Sequence, residues 1–353
     1  MDKILELEGF WKEKKVFITG HTGFKGSWLT YILSELGADI KGYSLPLEKD
    51  KLLFTGLNLE EKINSTYGDI NDFEHFKNEI NNFRPEILFH LAAQPLVRHS
   101  YNNPRETFET NILGTFNVLE SARNSTTLKS IVIVTSDKCY HNKEWEYSYR
   151  ENDQLGGYDP YSASKACTEI IAQSMRSSYF DRQIGFSTVR AGNVIGGGDF
   201  SIDRLFPDIA RSISNENSLT IRNPLATRPW QHVIEPLFAY IELAKNQFQD
   251  PAEFSSEWNI GPHSENAKSV ESILKIIEDQ FPNLINWKFD KDFQPHEAQS
   301  LKLDSSKFMN KNDWGPKWDL KMTIHRTVSW YTEFHKGRDI TELCKEDLLE
   351  YLR

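Results

Sequence analysis

The feature that most narrows the folds open to this chain lies between Val16 and Gly37. Val16-Phe17-Ile18-Thr19 is a short apolar run ending at Gly20, and His21-Thr22-Gly23-Phe24-Lys25-Gly26 then opens a helical pattern that runs to Leu36 and stops at Gly37. A strand, a glycine turn and a helix start in that order cradle phosphate, because the first N–H groups of a helix have no acceptor within it. Gly20 then allows the tight turn, Gly23 lets backbone approach a pyrophosphate, and Gly26 lets the helix pack close to the strand. The spacing is Gly-x-x-Gly-x-x-Gly, one residue wider at the start than the simplest dinucleotide fingerprint.

Strand patterns recur at 39–45, 63–67, 86–93, 129–135 and 184–189, separated by helix-length segments that include 72–83, 105–123 and 159–175. This alternation predicts an α/β chain with a Rossmann-like, doubly wound parallel sheet, which binds ligands at the carboxyl ends of its strands. Polar residues gather at those ends: Asp69, Ala92-Ala93-Gln94 and Ser136-Asp137-Lys138. The second strand ends in Tyr43-Ser44 where an acidic residue usually grips the adenosine ribose, and no arginine follows to hold a 2′-phosphate, so NAD is expected over NADP. His90, inside the fourth strand, reads as a satisfied core histidine.

Past residue 192 the alternation degrades. A helix over 202–213, a short strand over 219–222, a helix from Glu235 and helices over 270–280, 321–335 and 339–352 predict a smaller mixed α/β lobe. The expected division is 1–192 for the dinucleotide and 193–353 for a substrate, with about 230–248 crossing back to the first domain. Arg222, Arg228 and Trp230 suit a diphosphate and a planar base, since guanidinium pairs with phosphate and indole stacks on rings.

Tyr161 and Lys165 stand four residues apart on one predicted helix, so phenol and ammonium share a face and the charge can stabilise a tyrosinate. That is a general base for a hydroxyl. Composition then sets limits on partners. A formal charge of −10 argues against nucleic acid, and the absence of any run of 18 apolar residues argues against a membrane span. The polar N-terminus leaves the cytoplasm as the expected location. Cys139, Cys167 and Cys344 lack metal-ligand spacing and read as reduced thiols, and no metal is expected.

Six ordered motifs carry a family resemblance: Thr19-Gly20-His21-Thr22-Gly23-Phe24-Lys25-Gly26, His90-Leu91-Ala92-Ala93-Gln94, Asn111 in Asn-x-x-Gly-Thr, Thr135 to Tyr140, the Tyr161/Lys165 pair, and Arg190-Ala191-Gly192-Asn193-Val194. With them the chain resembles the extended short-chain dehydrogenase/reductase superfamily and, within it, the sugar-nucleotide 4,6-dehydratases. The resemblance implies tightly bound NAD on Gly20, Gly23, Gly26, Asp69 and Lys165, with Tyr161 as the redox base. It extends the cofactor set to Thr22, Phe24, Lys25, Ser44, Ile70, Leu91, Ala92, Ala93, Gln94, Asn111, Thr135 and Arg190. Ser136 joins the catalytic group. Gln94, Asn193, Arg204 and His296 join Arg222, Arg228 and Trp230 on a substrate implied to be CDP-glucose.

Relatives acting on dTDP-glucose carry an Asp-Glu pair after the fifth strand, the acid for the leaving hydroxyl and the base for C5. Here the pair is Asp137-Lys138, so Lys138 becomes the candidate base, able to serve only when neutral. A homodimer, and beyond it a tetramer, is the implied assembly, built from the helices bearing Asn111 and Tyr161 with Phe108, Phe116, Ile170 and Ile171 as candidate contacts. Supply of dideoxyhexose for bacterial O-antigen is the implied pathway. A 4-epimerase, which needs neither Asp137 nor Lys138, is the alternative, and a non-catalytic NAD-binding regulator stands behind it.

Overall fold

A computed structural model describes residues 2–47, 52–180, 182–215, 217–290, 298–312 and 314–353. Its centre is a sheet of seven parallel strands: β1 (Lys15–Thr19), β2 (Asp39–Ser44), β3 (Asn64–Tyr67), β4 (Ile87–His90), β5 (Ser130–Val134), β6 (Gly185–Ala191) and β7 (Glu257–Ile260). Their order is β7-β6-β5-β4-β1-β2-β3. The strand order reverses at β1, where Thr19 lies opposite Tyr43 of β2 on one side and His90 of β4 on the other. A crevice opens at that switch point.

The central strands β1, β4 and β5 are rich in apolar residues because helices cover both faces, whereas edge strand β3 is polar and partly exposed. Val16 and Ile18 of β1 point into one core with α2 (Phe24–Glu35), where Trp28, Leu29 and Ile32 are buried. Phe17, between them, points into the other with Phe76 and Ile80 of α3 (Phe73–Phe83), Val118 and Leu119 of α4 (Gly114–Ala122), and Ala172 and Met175 of α5 (Pro160–Tyr179). Period-two alternation thus feeds two cores from one strand. The N-terminal segment, expected only as a polar lead-in, is α1 (Asp2–Trp11), anchored by buried Leu7 and Trp11.

The expected helix over 105–123 is three pieces. Pro104–Phe108 is α-helical, Glu109–Leu113 is a π-turn, and α4 follows without a break. Asn111 occupies the π-turn, a distortion that periodicity does not reveal.

In the second half, α6 (Leu205–Asn215), α8 (Val270–Gln280), α9 (Leu320–His335) and α10 (Ile340–Leu352) surround three two-stranded ladders. Between α6 and α8 the chain returns to the large sheet. α7 (Ile234–Gln249) packs on β5, β6 and α2, and β7 then pairs with β6, so the return reaches Ile260 rather than ending near 248. Among the described residues no helix is long and apolar enough to cross a membrane.

Candidate active site

A cavity of about 720 Å³ lies over the carboxyl ends of the strands, walled on its far side by α6 and the ladder residues of the second lobe. Its floor is the glycine turn. Gly20 has φ of 73°, and a Cβ there meets the Ala92 nitrogen at 2.7 Å. At Gly26 a Cβ falls 2.0 Å from the Gly20 carbonyl oxygen, so strand and helix meet closer than any side chain permits. At Gly23 the nearest atom is 3.4 Å away, and that side faces the cavity. Gly23 caps α2 with no side-chain hydrogen bond, and the first turn holds no acidic residue. The orphan N–H groups of α2 are therefore free to receive an anionic diphosphate.

Thr22, Phe24, Lys25, Ser44, Asp69, Ile70, Leu91, Ala92, Ala93 and Thr135 all line the cavity. The Thr22 and Ser44 hydroxyls bond at 3.0 Å, and exposed Asp69 uses one carboxyl oxygen to accept from the Asn71 N–H at 2.9 Å. His90 bonds the Thr19 and Thr115 hydroxyls at 2.7 and 3.0 Å, and burial lowers it to about 3, so it stays a neutral core residue.

The reactive groups converge on the end of β5. Asp159 caps α5 by accepting from the Ser162 N–H at 2.9 Å, and Pro160 starts the helix, which sets Tyr161 in its first turn at the cavity wall. Lys165, one turn on, donates to the Val134 carbonyl at 3.3 Å. Ser136 donates to Asp137 at 3.1 Å and accepts from the Lys138 N–H at 3.2 Å. Asp137 is buried, and its second oxygen, Oδ2, has no hydrogen-bond partner among the described residues. Lys138 is half-buried on the same wall.

Burial raises the Asp137 carboxyl, against the pull of the Lys138, Arg228 and Lys25 cations. A raised carboxyl on a cavity wall can hold a proton near neutral pH. Burial pushes Tyr161 up to about 12, while a hydrogen bond with Ser136 opposes it. Burial lowers Lys165 to about 8, with the Glu169 carboxylate acting the other way. Lys25 falls to about 7 through burial and the Arg204 and Lys165 charges.

On the opposite wall Arg204 pairs with Asp199 at 2.9 Å, and Arg222 bonds Asp203. Arg228 is buried, donating to the Thr227 and Gln299 carbonyls at 3.0 and 3.3 Å, and the Trp230 indole donates to the Lys268 carbonyl at 2.9 Å. Asn193 lines the cavity between the two walls. His296 lies outside the described residues.

Three expected ligand residues do not line the cavity. The Gln94 amide turns inward to the Thr107 hydroxyl at 2.8 Å and the Leu96 backbone. Asn111 bonds both backbone groups of Gln94, at 2.9 and 3.1 Å, and the Ser164 hydroxyl at 2.8 Å, so it ties the end of β4 to α5. Arg190 points to the far side of its strand, into a buried ion pair with Glu169 at 2.7 Å. Each motif fixes a place along the chain, not the direction of the side chain. Sequence reasoning also passed over Asp199, Asp203 and Glu169. Glu169 carried a signal, since it stands four residues beyond Lys165 on the same helix face.

Residues 17–327 match the GDP-mannose 4,6 dehydratase family. CDP-glucose 4,6-dehydratase of Salmonella typhimurium is 47% identical over 351 residues, covering 98% of each chain. The dTDP-glucose 4,6-dehydratase of Escherichia coli is 26% identical, covering 90% of this chain and 93% of that one. Among solved structures, an epimerase from Methanothermobacter thermautotrophicus has a TM-score of 0.79 at 22% identity over 97% of each chain. The dTDP-glucose 4,6-dehydratase of Bacillus anthracis, in complex with NAD, has a TM-score of 0.75 at 20% identity, over 92% of this chain and 98% of that one. Glycine turn, Tyr161/Lys165 pair and whole-length similarity agree: the chain belongs to the GDP-mannose 4,6 dehydratase family of the short-chain dehydrogenase/reductase sugar-nucleotide dehydratases and epimerases.

Proposed function

We propose that this chain is an NAD-dependent hydro-lyase that converts CDP-glucose to CDP-4-keto-6-deoxyglucose and water. The observation that carries the elimination is Asp137, a buried carboxyl with a raised proton affinity and an unpartnered oxygen at the reaction centre. A 4-epimerase has no use for such an acid. The choice of CDP-glucose rests on the Salmonella relative.

NAD would supply a hydride acceptor for C4 and the donor that restores hydride at C6. Gly20, Gly23, Gly26 and the uncapped turn of α2 would hold its diphosphate, Asp69 and Ser44 its adenosine end, and Lys165 its nicotinamide end. Tyr161 takes the O4 proton. Its phenol needs the Lys165 ammonium close by to ionise, because burial alone holds it protonated. The resulting 4-ketone acidifies C5, so a modest base suffices; Lys138, which lines the cavity, removes that proton in this reading. Asp137 protonates the hydroxyl leaving C6. Arg204, Arg222 and Arg228 neutralise the substrate diphosphate and Trp230 flanks the base.

Residues 1–192 with 234–260 form the cofactor-binding body in this reading, and the rest is the sugar-nucleotide lobe. A homodimer is supported by the apolar residues that α5, α4 and the helix and π-turn before α4 leave in solvent: Phe108, Leu113, Phe116 and Ile170 are 38–54% exposed. Ile171 packs on the sheet core instead and takes no part. The enzyme works in the cytoplasm, where its three thiols stay reduced.

The test is incubation with NAD and CDP-, dTDP-, GDP- or UDP-glucose in heavy water, read by mass. Loss of one water with gain of one deuterium from CDP-glucose alone is the expected result. An isomer of unchanged composition sinks the elimination, and conversion of a different donor sinks the nucleotide assignment.

A further inference from the structure

Tyr161, Lys165 and Glu169 follow one another at intervals of four on α5, so they share one face on successive turns. Glu169 is buried, and its carboxylate accepts hydrogen bonds from three described residues. One carboxyl oxygen accepts from the Thr135 hydroxyl; the other accepts from the Thr188 hydroxyl and the Arg190 guanidinium, both at 2.7 Å. Arg190 in turn donates to the Tyr140 hydroxyl at 2.8 Å and the Glu151 carbonyl at 2.9 Å, and Tyr140 donates to Asn259 of β7 at 2.6 Å. The carboxylate is thus locked from β5, β6 and, through Arg190, the loop beyond β5.

Burying such a pair is a poor route to stability, since well-packed apolar residues do as well or better. Its location suggests another use. Thr135 directly precedes Ser136-Asp137, and Lys165 lies one turn before Glu169. The charged or titratable groups acting on Lys165 are Glu169 on its own helix, the Cys139 thiol from the turn after β5, Lys25 from α2 and His90 from β4. Burial keeps the Cys139 thiol and His90 neutral, and Lys25 acts against a second positive charge. Glu169 is the ionised group of this set that favours the ammonium.

We infer that Glu169, clamped by Arg190, is a positioning residue that supplies the countercharge for the Lys165 ammonium and so sets the ionisation of the Tyr161/Lys165 pair. This rests on the reading of that pair as the redox base. Lys165 already sits at about 8 with Glu169 present, so loss of that carboxylate raises its neutral fraction near pH 7. Tyr161 then loses the charge that its phenolate needs. The same loss frees Thr135, and with it the turn that holds Asp137.

The test labels Lys165 with trace acetic anhydride from pH 6 to 10 and follows its peptide by mass spectrometry in the full-length protein, Glu169→Gln and Glu169→Asp. Because only the free amine reacts, the midpoint reports the lysine whether or not any sugar nucleotide turns over. Expected is a midpoint lower by about one pH unit in Glu169→Gln, roughly fivefold more labelling at neutral pH, with Glu169→Asp close to the parent. The alkaline limb of dehydration moves down with it. If Glu169→Gln does not fold, Glu169→Gln/Arg190→Met, which leaves no unpaired buried charge, must show a lower midpoint than Arg190→Met alone, a comparison that removes the carboxylate with the arginine charge held constant. A parental Lys165 midpoint in folded Glu169→Gln, or equal midpoints in the double variant and Arg190→Met, overturns the inference, while a shifted midpoint in a protein that dehydrates no donor overturns the functional reading and leaves the electrostatic one standing.

Discussion

Replacing Gly26 with alanine strains the turn on which the cofactor assignment depends. The new Cβ lies 2.0 Å from the Gly20 carbonyl oxygen, 2.8 Å from its carbonyl carbon and 2.9 Å from the His21 Cα, all backbone atoms that cannot rotate away. Carbon and oxygen approach to roughly 3.3 Å at closest, so strand and helix must part by more than about 1 Å. Retreat on the other side is limited, because the backbone of Leu91 and Ala92 runs so close to Gly20 that even a Cβ there would lie 2.7 Å from the Ala92 nitrogen. Overpacking of this kind costs about 1–3 kcal/mol, and the same displacement misaligns the N–H groups of α2. Urea unfolding is expected to show that loss, and an NAD titration followed by calorimetry a fall in affinity of about tenfold or more. Gly9→Ala, on α1 with nothing within 4 Å of the added carbon, is the control and is expected to stabilise by up to about 1 kcal/mol. A Gly26→Ala protein with parental urea midpoint and parental NAD affinity refutes the reasoning.

Asp137→Asn keeps the shape of the turn and removes the acid, so dehydration is expected to fall by about 10²–10⁴-fold while C4 oxidation survives, seen as reduced-nicotinamide absorbance on adding substrate; undiminished dehydration contradicts the role. Lys138→Ala is expected to slow deuterium exchange at C5, and a parental exchange rate removes lysine from it. Glu235 gives a pH test far from the chemistry: it accepts from the Lys317 and Trp318 N–H groups and the Tyr351 hydroxyl at 2.8–2.9 Å, yet burial lifts it from 4.5 to about 7. A carboxyl raised on folding stabilises fully below its unfolded value, and that contribution is lost as pH climbs to about 7. Glu235→Gln, always neutral, is therefore expected to gain roughly 2–3 kcal/mol on the parent between pH 5 and pH 8 in urea unfolding. A constant difference between the two proteins rules this out.

The sheet was legible because parallel strands buried on both faces read as apolar runs, and Val16 to Thr19 with its glycines could form little else. The shared face of Tyr161 and Lys165 followed from helical spacing alone. What stayed hidden was direction and distortion. Gln94, Asn111 and Arg190 sit in the motifs expected to bind ligand, but their side chains turn to Thr107, Ser164 and Glu169. The π-turn at Glu109–Leu113 has the same residue pattern as an unbroken helix. Strand β7 is four residues long and stands in a stretch where alternation had already failed, so its pairing with β6 depends on tertiary contacts.

The most direct test of the account is the fate of deuterium placed at C4 of CDP-glucose. Removal of the O4 proton by the Tyr161/Lys165 pair with hydride passing to nicotinamide, elimination through Asp137 and return of that hydride predict a 4-keto-6-deoxy product carrying the deuterium at C6, transferred within one sugar. Deuterium retained at C4 of an unreduced hexose, or washed out to solvent, contradicts it.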